Sequence, residues 1–254
     1  MLHYNTFNEY QKMPGINFSS LKLLMTHSPR YLKWALDSGE DKTTPARELG
    51  SLVHALVLEP EKFESNYAVY DGVRRGKSWD EFSSNNTEKT IVKHDAFLAA
   101  AKTASAVLDQ YGGVINHPAA HREVSVSWKD VETYLECRGR IDILSPEGLI
   151  DIKTTRRTNS DDFVRDVFSN LYYAQMAFYY QGMLAATETP RPAFILGVST
   201  EPPHDVFRVN IGGDVMAAGM RWCKHAMDRY ATCAANGHWP GPAPVDAELP
   251  NWMQ

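Results

Sequence analysis

Cysteine is scarce in this chain: Cys137, Cys223 and Cys233 are the only three in 254 residues. Three cannot all pair, and their spacing matches neither a zinc motif nor the four-cysteine set of an iron–sulfur cluster, so no such cluster is expected. They read as buried, inert thiols. No apolar run reaches membrane-spanning length, and Met1-Leu2-His3-Tyr4-Asn5 has no secretory pattern. The expected compartment is therefore the cytoplasm, with no membrane partner. Positive charge is also short: 26 Lys and Arg against 31 Asp and Glu give a net charge of −5. That excludes a uniformly basic surface, but not a nucleic-acid enzyme with local patches and metal-neutralised carboxylates. Two basic clusters stand out, Arg74-Arg75-Gly76-Lys77 and Arg156-Arg157. Solvated loop charge explains the first equally well; the second suits phosphate contact better, because it follows an acidic strand.

What is present is an ordinary globular composition, 43% apolar and 22% charged. It also holds one unusual hairpin. Arg138-Gly139-Arg140-Ile141-Asp142-Ile143-Leu144 and Leu149-Ile150-Asp151-Ile152-Lys153-Thr154-Thr155 alternate apolar and polar residues around Ser145-Pro146-Glu147-Gly148, a turn by composition. Pairing brings Asp142 near Asp151. Side chains alternate along a strand, so Asp151 and Lys153 share a face while Ile152 enters the core. Two carboxylates on rigid strands suit Mg²⁺, which takes few protein ligands and keeps several waters. Most Asp-x-Lys hairpins are merely solvated charge, so the motif needs company.

Leu49, Leu52, Val53, Leu56 and Val57 follow helical spacing around His54, and Pro60 stops that helix. A lone helix histidine is ordinarily a packed residue. After the hairpin, Gln175 and Tyr179 lie four apart on one helix face, within an aromatic stretch that would also pack well on a sheet.

Taken in order, Gly50-x-x-x-His54-x-x-x-Leu58-Glu59-Pro60, Gly139-Arg140-Ile141-Asp142, Asp151-Ile152-Lys153 and Gln175-x-x-x-Tyr179 resemble the PD-(D/E)XK nuclease superfamily. Within it they are similar to the RecE-like branch, the exodeoxyribonuclease VIII C-terminal domain and its small phage relatives. Asn17-Phe18-Ser19-Ser20-Leu21-Lys22 and His117–Trp128 fit the same pattern, so the likeness runs from about residue 16 to 239. It implies metal ligation by His54, Asp142, Asp151 and the Ile152 carbonyl, with Mn²⁺ able to substitute for Mg²⁺. Lys153 would hold the attacking water or stabilise developing charge, with a pKa that a nearby metal and phosphate could depress. Gln175 and Tyr179 would contact the DNA backbone or orient the water. Glu123, opening the strand beside the hairpin, is a candidate outer ligand, although strand-edge glutamates are commonly just exposed.

Ser19, Ser20 and Lys22 at a helix start make a candidate phosphate site. In the related exonucleases a pocket near this helix grips the 5′ end, although simple capping also explains the serines. The resemblance implies a 5′-to-3′ exodeoxyribonuclease acting on duplex DNA ends in a bacterial or phage-infected cell. The 3′ single strands so made would pass to a single-strand annealing recombinase of the RecT type. It further implies a ring-shaped homo-oligomer, trimeric or tetrameric. A structure-specific endonuclease and a non-catalytic DNA-binding or assembly module are the competing readings.

The expected architecture is one α/β domain over residues 1–254: helix, three-stranded antiparallel sheet, helix and a further strand, preceded by N-terminal helices. Helices are predicted at 19–37 (capped by Ser19 or Ser20), 45–58, 95–111, 160–186 and 214–236. Strands are predicted at 123–128, 134–144, 148–154, 193–199 and 205–210. Residues 71–93 read as a loop, and 240–254 as an extended tail.

Overall fold

The computed structural model describes residues 1–39 and 44–248. The N-terminal part contains strand β1 (Leu2–His3) and helices α1 (Phe7–Lys12), α2 (Phe18–Thr26), α3 (Pro29–Ser38), α4 (Pro45–Leu58) and α5 (Phe63–Asn66). Next come β2 (Tyr67–Tyr70), α6 (Lys77–Asn85), β3 (Thr90–Lys93) and α7 (His94–Ile115). The remainder is β4 (His121–Lys129), β5 (Glu136–Ser145), β6 (Gly148–Thr155), α8 (Ser160–Ser169), α9 (Tyr172–Thr187), β7 (Ala193–Ser199), β8 (Val206–Asn210) and α10 (Gly213–Asn236).

Six strands form the main sheet in the order β1-β4-β5-β6-β7-β8. The β4–β5–β6 meander is antiparallel, β7 joins β6 in parallel, and β8 closes the edge antiparallel. The parallel step requires a crossover, which α8 and α9 supply. Every residue of β7 is buried, as a continuous apolar run covered on both faces should be. Two apolar clusters cover the sheet. Residues of α2, α8, α9 and α10 build one around Leu21, Phe163, Phe178 and Met227. Residues of α4 and α7 build the other around Val53, Val107, Ile152 and Phe194. The helix–meander–helix–strand core is the one expected. Among the described residues, no helix is long and apolar enough to cross a membrane.

Three expected elements differ. The helix foreseen at 19–37 is two helices. Ser28 caps the second by accepting from the Tyr31 amide, and Pro29 takes its first turn; a residue before proline avoids helical backbone. The helix foreseen at 160–186 also breaks, at Leu171, which is left-handed with φ 61°. The 71–93 segment is not a plain loop. Helix α6 lies within it, β3 pairs in parallel with β2, and Tyr70 contacts Trp79 and Phe82 with ring centroids 5.2 and 4.8 Å apart.

The hairpin turn depends on Gly148. Its φ is 153°, and a Cβ there would lie 2.4 Å from the Pro192 carbonyl oxygen, so glycine lets the turn close against the chain entering β7.

Candidate active site

Register explains how the acidic residues meet. Strands β5 and β6 pair through Ser145↔Gly148, Leu144↔Leu149 and Ile143↔Ile150, and the ladder ends there. The next opposed pair would be Asp142 and Asp151. In place of a ladder bond, Asp142 Oδ2 accepts from the Ile152 amide at 2.7 Å. On the other side, Arg122↔Ile143 and Val124↔Ile141 bracket Glu123, which therefore stands opposite Asp142. Three carboxylates thus line up across three strands.

The alternation of β5 also slips here. Ile141 belongs to the cluster under α9, whereas Ile143, two residues on, belongs to the cluster under α4. The slip and the parted ladder let groups from both faces of the sheet approach one another.

His54 comes from α4. Its Nε2 lies 2.9 Å from the Ile152 carbonyl oxygen, and a carbonyl can only accept, so Nε2 carries the hydrogen. The other ring nitrogen, Nδ1, lies 3.7 Å from Asp142 Oδ2. From the α9 face, Gln175 Nε2 donates to the Tyr179 hydroxyl at 3.0 Å and reaches Asp151 Oδ1 at 3.4 Å. The Tyr179 ring rests on Gly139, where a Cβ would meet it at 3.0 Å. Asp151 and Lys153 share a face as expected, with Nζ 2.7 Å from Oδ2, and Ile152 is fully buried.

Burial pushes the Asp142 carboxyl up to about 7; His54 opposes that rise, and Asp151 adds to it. For Lys153, burial pushes the pKa down, but Asp151 and Asp142 more than offset it, leaving the ammonium raised. Two carboxylates beside the ammonium account for that direction. Burial raises Tyr179 well above the usual phenol range, so it is a neutral hydroxyl.

The site fits a hard divalent cation. Asp151 Oδ2 is buried, with the Lys153 ammonium 2.7 Å from it. His54, Glu123 and Asp142 each offer one ligand atom, all within 4.8 Å of one another. Oxygen-rich sites with one imidazole suit Mg²⁺ or Mn²⁺. Glu123 therefore lies closer to the centre than its strand-edge position suggested. Its backbone is left-handed, φ 51°, and its carboxylate is paired with Arg140.

Other expected residues fall as follows. Asn17, not Ser19 or Ser20, caps α2 by accepting from the Ser20 amide; Ser19 is exposed and Ser20 nearly buried. Lys22 donates to the Asn170 carbonyl at 2.9 Å. Its pKa is lowered by burial and then by Lys153, which places α2 beside the centre. Arg157 donates to Asp166 through two bonds of 2.9 Å, and Arg156 is exposed. Tyr172 was not singled out, yet Lys153 Nζ sits 5.2 Å from its ring centroid. Its spacing from Gln175 and Tyr179, three and then four residues, was the available signal.

This sheet, with its carboxylates and lysine at the parted hairpin, defines a PD-(D/E)XK nuclease fold. The chain belongs to the family described as PDDEXK-like domain of unknown function (DUF3799), whose model matches residues 17–245. It is similar in fold to the crystal structure of a "putative exonuclease" from Eubacterium rectale, with a TM-score of 0.67 and 17% identity, covering 99% of this chain and 97% of that one. The structure of SSO0001 is more distant, 12% identical with a TM-score of 0.38 over 87% of this chain and 81% of that one, and carries no argument. No curated protein sequence matches the chain.

Proposed function

We propose that the protein is a divalent-metal-dependent deoxyribonuclease. It would act as an exonuclease on linear duplex DNA, digesting from 5′ ends and leaving 3′ single strands for recombination by annealing. The observation that carries the hydrolytic reading is the junction at Ile152. Its amide is held by Asp142, its carbonyl by His54, and its neighbours Asp151 and Lys153 form a carboxylate–ammonium pair at 2.7 Å, the carboxylate buried and the ammonium half-buried. A structural hairpin gains nothing from that arrangement, because buried charge is costly unless it is used.

Asp142, Asp151, Glu123, His54 and the Ile152 carbonyl would hold the metal. The bound ion would neutralise charge on the phosphoryl oxygens and lower the pKa of water. Lys153, protonated, would orient that water or donate to the phosphate, and Gln175 with the neutral Tyr179 would fix the Asp151 carboxylate. Mg²⁺ is the expected ion, and Mn²⁺ should substitute.

The finer reading rests on the RecE-like order of motifs: 5′ polarity, an annealing recombinase of the RecT type as partner, and a bacterial or phage-infected cytoplasm. We read residues 1–254 as one nuclease domain. A ring-shaped trimer or tetramer would help an acidic chain retain DNA, since a closed ring prevents sideways dissociation and combines several modest patches. Light scattering giving a monomer mass with and without DNA would remove the ring.

Digestion of linear against covalently closed circular duplex, with and without EDTA, tests the activity. Loss of linear DNA alone, abolished by EDTA, is expected. Cutting of the circle would move the reading to an endonuclease. No cutting in Mg²⁺ or Mn²⁺ would leave a DNA-binding or assembly module.

A further inference from the structure

Arg140 is buried, 8% exposed, two residues before Asp142. Its Nε donates to Glu123 Oε2. Its Nη1 donates to Ser125 Oγ and to the Asn5 carbonyl, each at 3.1 Å, with Asn5 Oδ1 at 3.5 Å. Ser125 Oγ in turn donates to Asn5 Oδ1 at 2.7 Å. The rings of Phe7 and Tyr10 flank the guanidinium at 6.0 and 5.9 Å from their centroids. Nearby, Arg138 Nη1 donates to the carbonyls of Tyr10, Gln11 and Met13, at the end of α1. Two arginines of β5 thus fasten the N-terminal segment to the sheet, and one of them also grips a carboxylate of the metal group.

We infer that Arg140 is a positioning residue for the metal group, and that docking of the N-terminal segment sets the affinity of the site through it. This rests on the metal-dependent reading above.

The physical case begins with Glu123. It stands opposite Asp142 across β4 and β5, so the two carboxylates repel. Its backbone is left-handed, which a glutamate seldom adopts unless its surroundings hold it there. Without a counter-charge the side chain would turn outward, away from the metal group. The guanidinium fixes Oε2 and balances the charge, while the carboxylate keeps an oxygen within 4.8 Å of the His54 and Asp142 ligand atoms. A charged fork holds such a geometry only if its own donors are fixed. Asn5 and Ser125 fix them, and the two rings cover the guanidinium. Partners of this kind, one step out from the metal, commonly alter metal affinity by roughly 10- to 100-fold.

Calorimetric titration of the full chain with Mn²⁺, without DNA, tests this. Arg140→Met is expected to weaken binding by roughly tenfold or more, and Arg140→Lys by less, since it keeps the charge and loses the fork. Asn5→Ala, which touches no metal ligand, should shift affinity in the same direction by a smaller factor. The decisive readout is a double-mutant cycle. If Arg140 acts through Glu123, then Arg140→Met should cost almost nothing further in a Glu123→Gln background. Additive losses would make the arginine a simple staple of the fold and overturn the inference. So would wild-type affinity in Arg140→Met, or in Glu123→Gln. Should Arg140→Met fail to fold, full affinity in both Arg140→Lys and Asn5→Ala would overturn it equally. A wild-type chain that binds no Mn²⁺ would sink the metal reading itself, whereas a binding wild type with an unaffected Arg140→Met sinks only the role of Arg140.

Discussion

His54 and Asp142 turn toward one another: with Nε2 donating to the Ile152 carbonyl, the other ring nitrogen, Nδ1, lies 3.7 Å from Asp142 Oδ2. A cation held by both would find its imidazole and carboxylate ligand atoms already side by side. His54→Ala should therefore weaken Mg²⁺ and Mn²⁺ binding, and excess Mn²⁺ should recover part of the cleavage. An unchanged metal dependence in calorimetry and in the nuclease assay would return His54 to the core of α4.

Asp142→Asn and Asp151→Asn should each abolish cleavage while leaving the circular dichroism spectrum intact. Asp142→Asn should also raise the melting temperature in EDTA. Asp142 sits where burial already pushes its carboxyl toward the neutral form, so an uncharged isostere relieves a desolvation cost. Each kcal/mol gained is worth about 2–4 °C for a chain of this size. Retained cleavage in either variant would remove it from the site. A lower melting temperature in EDTA would show that its charge stabilises the fold.

Lys153→Ala should still bind metal and DNA but cleave about 10²-fold more slowly or worse. Asp151 and Asp142 raise the ammonium, which favours a role as a charge and a donor over one as a base. If titration showed metal binding lost and single-turnover cleavage normal once metal was saturating, its role would be to hold Asp151.

The hairpin, the same-face pair Asp151 and Lys153, and the one-face pair Gln175 and Tyr179 were legible because each rests on a local period, two for strands and 3.6 for helices. The closeness of Glu123 was not, since it depends on the β4–β5 register, and no local period fixes where two strands align. Arg140 and Asn5 lie 135 positions apart, beyond any local pattern. The break at Ser28-Pro29 carried a readable signal, a capping serine before a proline. The break at Leu171 carried none: a leucine in left-handed backbone is held by tertiary packing, against its own preference. The pairing of Arg157 with Asp166 was not legible either, because it joins a strand end to a helix nine residues on.

The thiols should be inert. Burial, then Asp130 and Glu136, pushes Cys137 up to about 12, and burial raises Cys223 as well. Both groups are raised in the fold, so thiolate forms at pH 8–9 in the unfolded chain and not in the native one. Iodoacetamide at pH 8.5 should label neither residue until denaturant is added. By the same sign, stability should begin to fall as pH rises past the ordinary thiol range. Labelling of Cys137 in the native protein, read by peptide mass, would mean that the β4–β5 pairing opens around it.

Lys22 provides the test of end recognition. Its ammonium is anchored on the carbonyl of Asn170, at the close of α8, and the nearby Lys153 contributes to lowering its pKa. Two cations held near each other, with no carboxylate paired to Lys22 among the described ion pairs, form a place where a phosphate would be welcome. The capping of α2 by Asn17 takes up the Ser20 amide, so the lysine is the better candidate for the anion contact. On duplexes labelled at one end, 5′ nucleotides should be released first, and a 5′ phosphate should speed release. Lys22→Ala should shrink that preference severalfold while Mn²⁺ affinity stays at the wild-type value. If the preference survives Lys22→Ala, the phosphate is gripped elsewhere. If release starts from 3′ ends, the 5′ polarity falls and the metal centre stands.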